Sequence, residues 1–199
     1  MKIGYYPGCA LTKGSSSSEY GMSVKGVAKA LDIDLVEIND WSCCGASAAH
    51  QTNHKLAISL SARNIALAAR DGFKEVLVPC PACSLRFISA QKELNENPEL
   101  RGEIEDVIEM PYNDNIKVLN YLEFVKKYCA DKLKENIKKQ PDSLKVVCYY
   151  GCLLVRPPKV VEFDDPDDPV TMDEILKSIG IEPLKWEFKT ECCGGGLSI

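Results

Sequence analysis

Ten cysteines in a chain of 199 residues raise the first chemical question. Five of them, Cys9, Cys43-Cys44, Cys80 and Cys83, are spaced C-x33-C-C-x35-C-x2-C. The spacing then begins again: Cys152 is followed, after 39 intervening residues, by Cys192-Cys193, and the sequence stops six residues later. Thiolates drawn from several distant points, two of them adjacent, suit a polynuclear iron–sulfur cluster better than a single metal ion. Other readings of the same residues stay open. Cys9, Cys80, Cys83 and one of the adjacent pair could make a tetrahedral zinc site, which leaves the other neighbour unused. Cys80-Pro81-Ala82-Cys83 taken alone has the form of a redox-active dithiol, and a disulfide framework would use the cysteines differently again. Cys129 and Cys148 fit neither pass of the pattern and are expected to be buried, unreactive thiols.

The whole-chain balance narrows these choices. An apolar fraction of 45% is enough for a buried core, and the net charge of −5 comes with no dominant basic stretch. That argues against nucleic acid, whose binding rests on neutralising phosphates. Met1-Lys2-Ile3-Gly4-Tyr5 has no hydrophobic signal core, and no run approaches the roughly 20 apolar residues of a membrane helix. A cytoplasmic protein with no membrane span is expected. In that compartment, cysteines serve as ligands or redox groups more often than as structural disulfides.

The elements that must position the thiols read as alternating strands and helices. A strand over Lys2–Tyr6 turns through Pro7-Gly8 into Cys9. The serines at 15–18 open a helix that runs to Leu31. Asp34–Ile38 alternates as a strand and leads to Trp41-Ser42-Cys43-Cys44-Gly45. Asn53 is placed to cap a helix reaching Arg70, which Gly72 ends. A third strand, Glu75–Pro79, meets the next helix at Cys80-Pro81-Ala82-Cys83. Residues 84–139 read as mainly helical, punctuated by Pro98 and Pro111. The lysines of 126–139 alternate with acids, as on a solvated helix face, and Pro141-Asp142-Ser143 reads as a linker. This alternation predicts an α/β layer structure.

A second unit begins at Leu144. Lys145-Val146-Val147-Cys148-Tyr149-Tyr150-Gly151-Cys152 echoes Lys2-Ile3-Gly4-Tyr5-Tyr6-Pro7-Gly8-Cys9 with one residue fewer before the cysteine. Thr171-Met172-Asp173-Glu174 has the form of a capping box opening a helix to Ser178. A strand over Leu184–Phe188 leads to Cys192-Cys193-Gly194. The second copy carries about six extra residues, which the acidic loop Asp164–Pro169, expected to be solvated, can hold.

Tyr6-Pro7-Gly8-Cys9, Trp41-Ser42-Cys43-Cys44-Gly45, Cys80-x-x-Cys83 and Cys192-Cys193-Gly194-Gly195-Gly196 resemble the cysteine-rich CCG domain, and the pair of units resembles the B-type subunit of heterodisulfide reductase. The resemblance implies two tandem, similar, small α/β units of the CCG type, with short sheets flanked by helices: residues 1–140 with a complete motif and 144–199 with the start of a second. It implies a non-cubane 4Fe–4S cluster on Cys9, Cys43, Cys44, Cys80 and Cys83, and a second, partial set in Cys152, Cys192 and Cys193. The second motif's closing C-x-x-C is expected near position 229, so the chain reads as truncated at its C-terminus. The implied reaction is reduction of the disulfide joining coenzyme M and coenzyme B, or of a related thiol disulfide, with electrons from a small iron–sulfur subunit fed by a flavin-containing one. Such a cleavage takes two electrons, and two clusters could each supply one. The alternative is an electron-transfer iron–sulfur subunit of a glycolate, lactate, succinate or fumarate oxidoreductase; those chains usually carry conventional C-x2-C-x2-C motifs, which this sequence lacks. A zinc-stabilised interaction module is a third possibility. His50 and His54, the two histidines, lie just after Cys44; His50 is the candidate proton donor for thiolate products. Lys13 and Arg156 are cations close in sequence to Cys9 and Cys152.

Overall fold

Four short parallel strands organise the N-terminal part of the chain. The computed structural model describes residues 1–46, 49–137 and 144–194. They divide into two compact units, Met1–Tyr121 and Leu122–Ile199. The division falls earlier than the expected 1–140 boundary, so the helical residues from Leu122 onward group with the second unit. The expected linker at 141–143, the last lysines of the 126–139 stretch and Gly195-Gly196 lie outside the described residues.

In the first unit, β1 (Lys2–Tyr5), β2 (Asp34–Glu37), β3 (Glu75–Leu77) and β4 (Lys117–Leu119) form one sheet in the order β2-β1-β3-β4. All neighbours are parallel: Ile3 pairs with Leu35, Tyr5 with Leu77, and Val76 with Val118. Parallel neighbours need crossover connections, usually helical. After β1 come the one-turn helix α1 (Gly8–Leu11) and then α2 (Ser18–Ala30). After β2 come the one-turn helix α3 (Ala49–Thr52) and then α4 (His54–Arg70). The pair α5 (Pro81–Glu96) and α6 (Pro98–Ile108) connects β3 to β4. The expected α/β architecture is therefore the observed one. Asn53 caps α4 by accepting the Leu56 N–H at 3.0 Å. Asn97 caps α6 through Leu100 at 3.1 Å, and Pro98 takes the first helical position, where its missing N–H costs nothing.

The mainly helical reading of 84–139 missed β4. Its three residues are too short a run to signal a strand; pairing makes it one, with Lys117 N–H bonded to Lys74 O and Val78 N–H to Leu119 O, each at 2.9 Å. The strand order matters for the site. From β1 the chain passes outward to β2, then returns across β1 to β3, so the order reverses between β1 and β3. Ligands of open parallel sheets gather beyond the carboxyl ends of the strands at such a switch point.

The second unit contains α8 (Ala130–Asn136), reached through a π-helical turn at Val125–Cys129 from α7 (Tyr121–Phe124), together with α9 (Cys152–Val155) and α10 (Thr171–Ser178). Cys148, Tyr150, Leu154 and Val155 form its buried centre, packed by Phe163, Met172 and Leu176. The two segments expected as strands are joined by Leu184 N–H to Val146 O at 2.8 Å and Tyr150 N–H to Lys189 O at 2.7 Å. No regular ladder forms between them among the described residues, as expected of an isolated two-stranded pair, which is marginal by itself.

The capping box is not realised. Thr171 is already helical, and the first N–H groups of α10 find partners elsewhere. Val170 and Thr171 donate to Asp164 Oδ2 at 3.0 and 2.8 Å, and Met172 and Asp173 to Tyr150 Oη at 2.6 and 3.2 Å. The acidic loop is thus partly structural: Asp164 caps a helix, and Asp165 Oδ1 accepts the N–H groups of Asp167 and Asp168, both at 2.8 Å.

Candidate metal centre

Each ligand segment of the first unit begins where a strand ends. β1 leads into α1, which carries Cys9. β2 leads to Cys43-Cys44-Gly45, and β3 to Cys80, the residue immediately before α5. The carboxyl edge of the sheet therefore collects all five thiols. Cys44 Sγ lies 3.2 Å from Cys83 Sγ, far beyond the roughly 2.05 Å of a disulfide. Cys43 lies close enough to Cys9, and Cys83 to Cys80, to shift the ionisation of Cys9 and of Cys80. Cys44 and Cys83 are buried, Cys80 is half-buried, and Cys9 and Cys43 open to solvent.

Tyr6 forms the floor of this group. It is 1% exposed, and its ring packs edge-on against Trp41 at 5.4 Å between centroids and tilted against Phe87 at 4.8 Å. Burial first, then the neighbouring charges of Cys44, Cys83, Cys43 and Cys9, hold its hydroxyl protonated. That hydroxyl donates to Ser42 O at 2.8 Å. Asn64 grips the same residue from α4: its Oδ1 accepts the Ser42 N–H at 2.8 Å, and its Nδ2 donates to Ser42 O and Leu60 O, each at 2.9 Å. The segment before Cys43 is therefore fixed from two sides.

Two glycines are required by close approach. Gly8 has φ +62°, and a Cβ there would sit 3.1 Å from Cys83 Sγ and 3.2 Å from Tyr6 Cε1. Gly45 has φ +75°, and its Cβ would meet Leu60 Cδ1 at 2.9 Å and Ala49 Cβ at 3.0 Å. Both conformations are those glycine adopts without a steric penalty.

The local field favours thiolates at some positions and not others. The Cys80 thiol is lowered to about 6, first by its hydrogen bond with Cys83, opposed by burial, then aided by the N–H groups of Cys83 and Ala82 at the start of α5. Unpaired N–H groups at a helix start stabilise negative charge. Cys44 is lowered to about 7, again first by Cys83. Cys83 is raised by sharing its proton with both neighbours, and Cys9 is raised by burial and then by Cys43.

Of the other candidates, His50 is exposed and held toward its neutral form, first by the positive charge of Arg86, then by burial and by His54. His54 Nε2 is 2.7 Å from Glu93 Oε2. Arg86, which sequence reasoning missed, is half-buried on α5 one turn after Cys83, and the charges of Cys44 and Glu93 act on it. Its spacing of three residues from Cys83 was the available signal. Lys13 is exposed, and Arg156 is committed to the acidic loop, bonding Pro166 O and Asp167 Oδ1, both at 3.0 Å. Cys129 and Cys148 are 0% and 2% exposed. Burial, the leading cause at each, pushes both thiols up to about 11, as for inert core thiols.

In the second unit Cys152 opens α9 and is half-buried, whereas Cys192 and Cys193 are exposed. Tyr149 lies close enough to Cys193, Cys192 and Cys152 for their charges to act on its hydroxyl. The three cysteines therefore share one neighbourhood.

The donor set fits an iron–sulfur group. Five sulfurs gather at one edge of the sheet, among the described residues without a carboxylate or imidazole between them, and soft thiolates select thiophilic metals and iron–sulfur clusters. Among the described residues no three side chains converge on a position for a single ion. A polynuclear cluster, which takes its thiolates on different irons, does not ask for that convergence.

The family model for the CCG cysteine-rich domain matches residues 3–88, a span that contains all five cysteines of the first set. The 8-methylmenaquinol:fumarate reductase membrane anchor subunit of Wolinella succinogenes is 32% identical over 97% of this chain and 67% of its own length. The chain belongs to the CCG cysteine-rich domain family. A second relative, the B-type subunit of the ferredoxin:CoB-CoM heterodisulfide reductase of Methanosarcina mazei, is 29% identical over 98% of this chain and 65% of its own. The chain thus spans about two thirds of the length of these curated relatives. The crystal structure of a hypothetical protein from Helicobacter pylori superposes on 94% of this chain and 33% of its own with a TM-score of 0.67 at 14% identity, a likeness of fold. CCG membership and these relatives support an iron–sulfur subunit of an oxidoreductase.

Proposed function

We propose that the chain is the disulfide-cleaving iron–sulfur subunit of a heterodisulfide-reductase-like complex, reducing the coenzyme M–coenzyme B heterodisulfide or a related thiol disulfide to two thiols. The observation that carries this reading is the gathering of the segments bearing Cys9, Cys43, Cys44, Cys80 and Cys83 at the switch point of the sheet, two of these thiols buried and the rest open or half-open to solvent. The heterodisulfide reductase relative, matched over 98% of the chain, supports the substrate class. A non-cubane 4Fe–4S cluster, when bound, would supply one-electron redox chemistry at that edge. The residues of the chain do the rest. The five thiolates hold the group, and Tyr6, Trp41 and Phe87 close its buried side. Arg86 offers a fixed positive charge toward an anionic substrate, and His50, the candidate proton donor, has to take its proton from solvent first, because that same charge holds it toward its neutral form. The reaction consumes two electrons and two protons for each disulfide and yields two thiols. Cys152, Cys192 and Cys193 are proposed as ligands of a second such group.

The proposed partners are a small iron–sulfur subunit and a flavin-containing subunit that deliver the electrons. Among the described residues no helix is long and apolar enough to cross a membrane, and a cytoplasmic location is proposed.

A second reading is an electron-relay subunit of a fumarate-type reductase, favoured by the relative from Wolinella succinogenes. Electron paramagnetic resonance of the anaerobically reconstituted full chain separates the two. Adding the heterodisulfide or its component thiols should change the cluster's spectrum if the substrate meets the cluster. A spectrum indifferent to disulfide and thiols alike would sink the disulfide-cleaving reading in favour of the relay.

A further inference from the structure

One hydrogen bond recurs in the two units, made by a buried side chain in one and an exposed side chain in the other. In each, a tyrosine three residues before the first cysteine donates to the carbonyl immediately preceding the cysteine pair. Tyr6 Oη reaches Ser42 O at 2.8 Å, and Tyr149 Oη reaches Glu191 O at 2.6 Å. The two bonds span 36 and 42 residues of chain. The turn that follows also repeats: Gly45 and Gly194 have φ +75° and +77°, and each N–H lies 3.4 Å from the sulfur of the first cysteine of its pair. An indole stands beside each tyrosine, Trp41 at 5.4 Å and Trp186 at 6.0 Å between ring centroids.

Core packing does not explain the recurrence, because Tyr6 is 1% exposed and Tyr149 is 40% exposed. The bonded carbonyl belongs to the peptide that ends at the Cα of the first cysteine of the pair. That peptide is planar, so fixing its oxygen fixes the direction in which the backbone delivers the thiols. The tyrosine itself is tied by three residues to the cysteine at the end of the preceding segment. A single bond therefore sets the first three thiols of each set in register.

The geometry points to Tyr6 and Tyr149 as paired positioning residues, each holding its Cys-Cys-Gly turn against the cysteine three residues downstream of it, so that the three thiols are preset for metal before any metal arrives. The inference rests on the reading of both cysteine sets as metal ligands. It adds that the second set, Cys152, Cys192 and Cys193, is prepared by the same device as the first.

The test uses the full apo chain under anaerobic conditions with cadmium ion as the thiolate probe. Affinity is read from the thiolate-to-metal absorbance under chelator competition, and cadmium NMR separates the two sets. Tyr6→Phe is expected to weaken binding at the first set about tenfold, equivalent to about 1.4 kcal/mol, and to shift its resonance. Tyr149→Phe is expected to do the same at the second set; because Tyr149 is part-exposed and keeps its ring, unfolding does not confuse the result. Tyr5→Phe is the control, since the Tyr5 hydroxyl is buried with no hydrogen-bond partner among the described residues; it should bind cadmium as the wild type does. Wild-type affinity and unshifted resonances in both Tyr6→Phe and Tyr149→Phe would overturn the inference, and absence of a second resonance in the wild type would overturn it for Tyr149. Failure of the wild type to take up iron and sulfide would instead count against the cluster reading, leaving the tyrosine comparison intact.

Discussion

Replacing Cys83 by serine is expected to leave a folded chain that cannot retain an iron–sulfur cluster. Cys83 is 4% exposed and stands between Cys44, at 3.2 Å, and Cys80, and a Cβ on Gly8 would crowd its sulfur at 3.1 Å. Losing a partner that merely orients a metal ligand commonly costs 10–100-fold in metal affinity, and removing a central ligand should cost no less. Bound iron after anaerobic reconstitution should fall at least ~tenfold. Cys129→Ser is the informative comparison. Cys129 is 0% exposed and remote in sequence from both cysteine sets, so the hydroxyl should lower stability while iron uptake persists. Full iron content in the Cys83→Ser chain would remove Cys83 from the ligand set.

Asn64→Leu should be strongly destabilising although it keeps the side chain's size. Asn64 is 0% exposed and makes three hydrogen bonds, two of them to the backbone of Ser42. Leucine matches its size but strands the Ser42 N–H and leaves the Leu60 carbonyl to its helical partner alone. A buried donor left unpaired costs about 1–3 kcal/mol, and with the lost bonds the total is ~3 kcal/mol. For a unit of this size, that lowers Tm by on the order of 10 °C. Thermal melting of the apo chain measures it; a drop within ~2 °C would mean that the grip on Ser42 contributes little.

The contrast between Cys83 and Asn64 marks what could be read from sequence. Cysteine spacing is a local code whose residue type carries the chemistry, so the ligand segments, and the strands ending just before them, were legible at Cys9, Cys43-Cys44 and Cys80. Asn53 was legible for a related reason, since a helix start is written in the adjacent residues, and Pro98 was legible as a break. Asn64 was not legible: it looks like one more polar residue on an amphipathic helix, and its role depends on Ser42, 22 residues earlier. β4 was hidden because three residues become a strand only by pairing with β3. In the second unit the capping box was misleading because Tyr150 and Asp164 reach the start of α10 from elsewhere in the chain. The tyrosine bond lay in plain view as a fixed offset, three residues before Cys9 and before Cys152, but only geometry shows what each hydroxyl holds.

Whether the first five cysteines hold a polynuclear iron–sulfur cluster is a question of metal and sulfide content. Iron, acid-labile sulfide and zinc analysis of the anaerobically reconstituted full chain tests it most directly. About four irons with matching sulfide per chain are expected at the first set, lost on Cys83→Ser. One zinc per chain with no sulfide would contradict it.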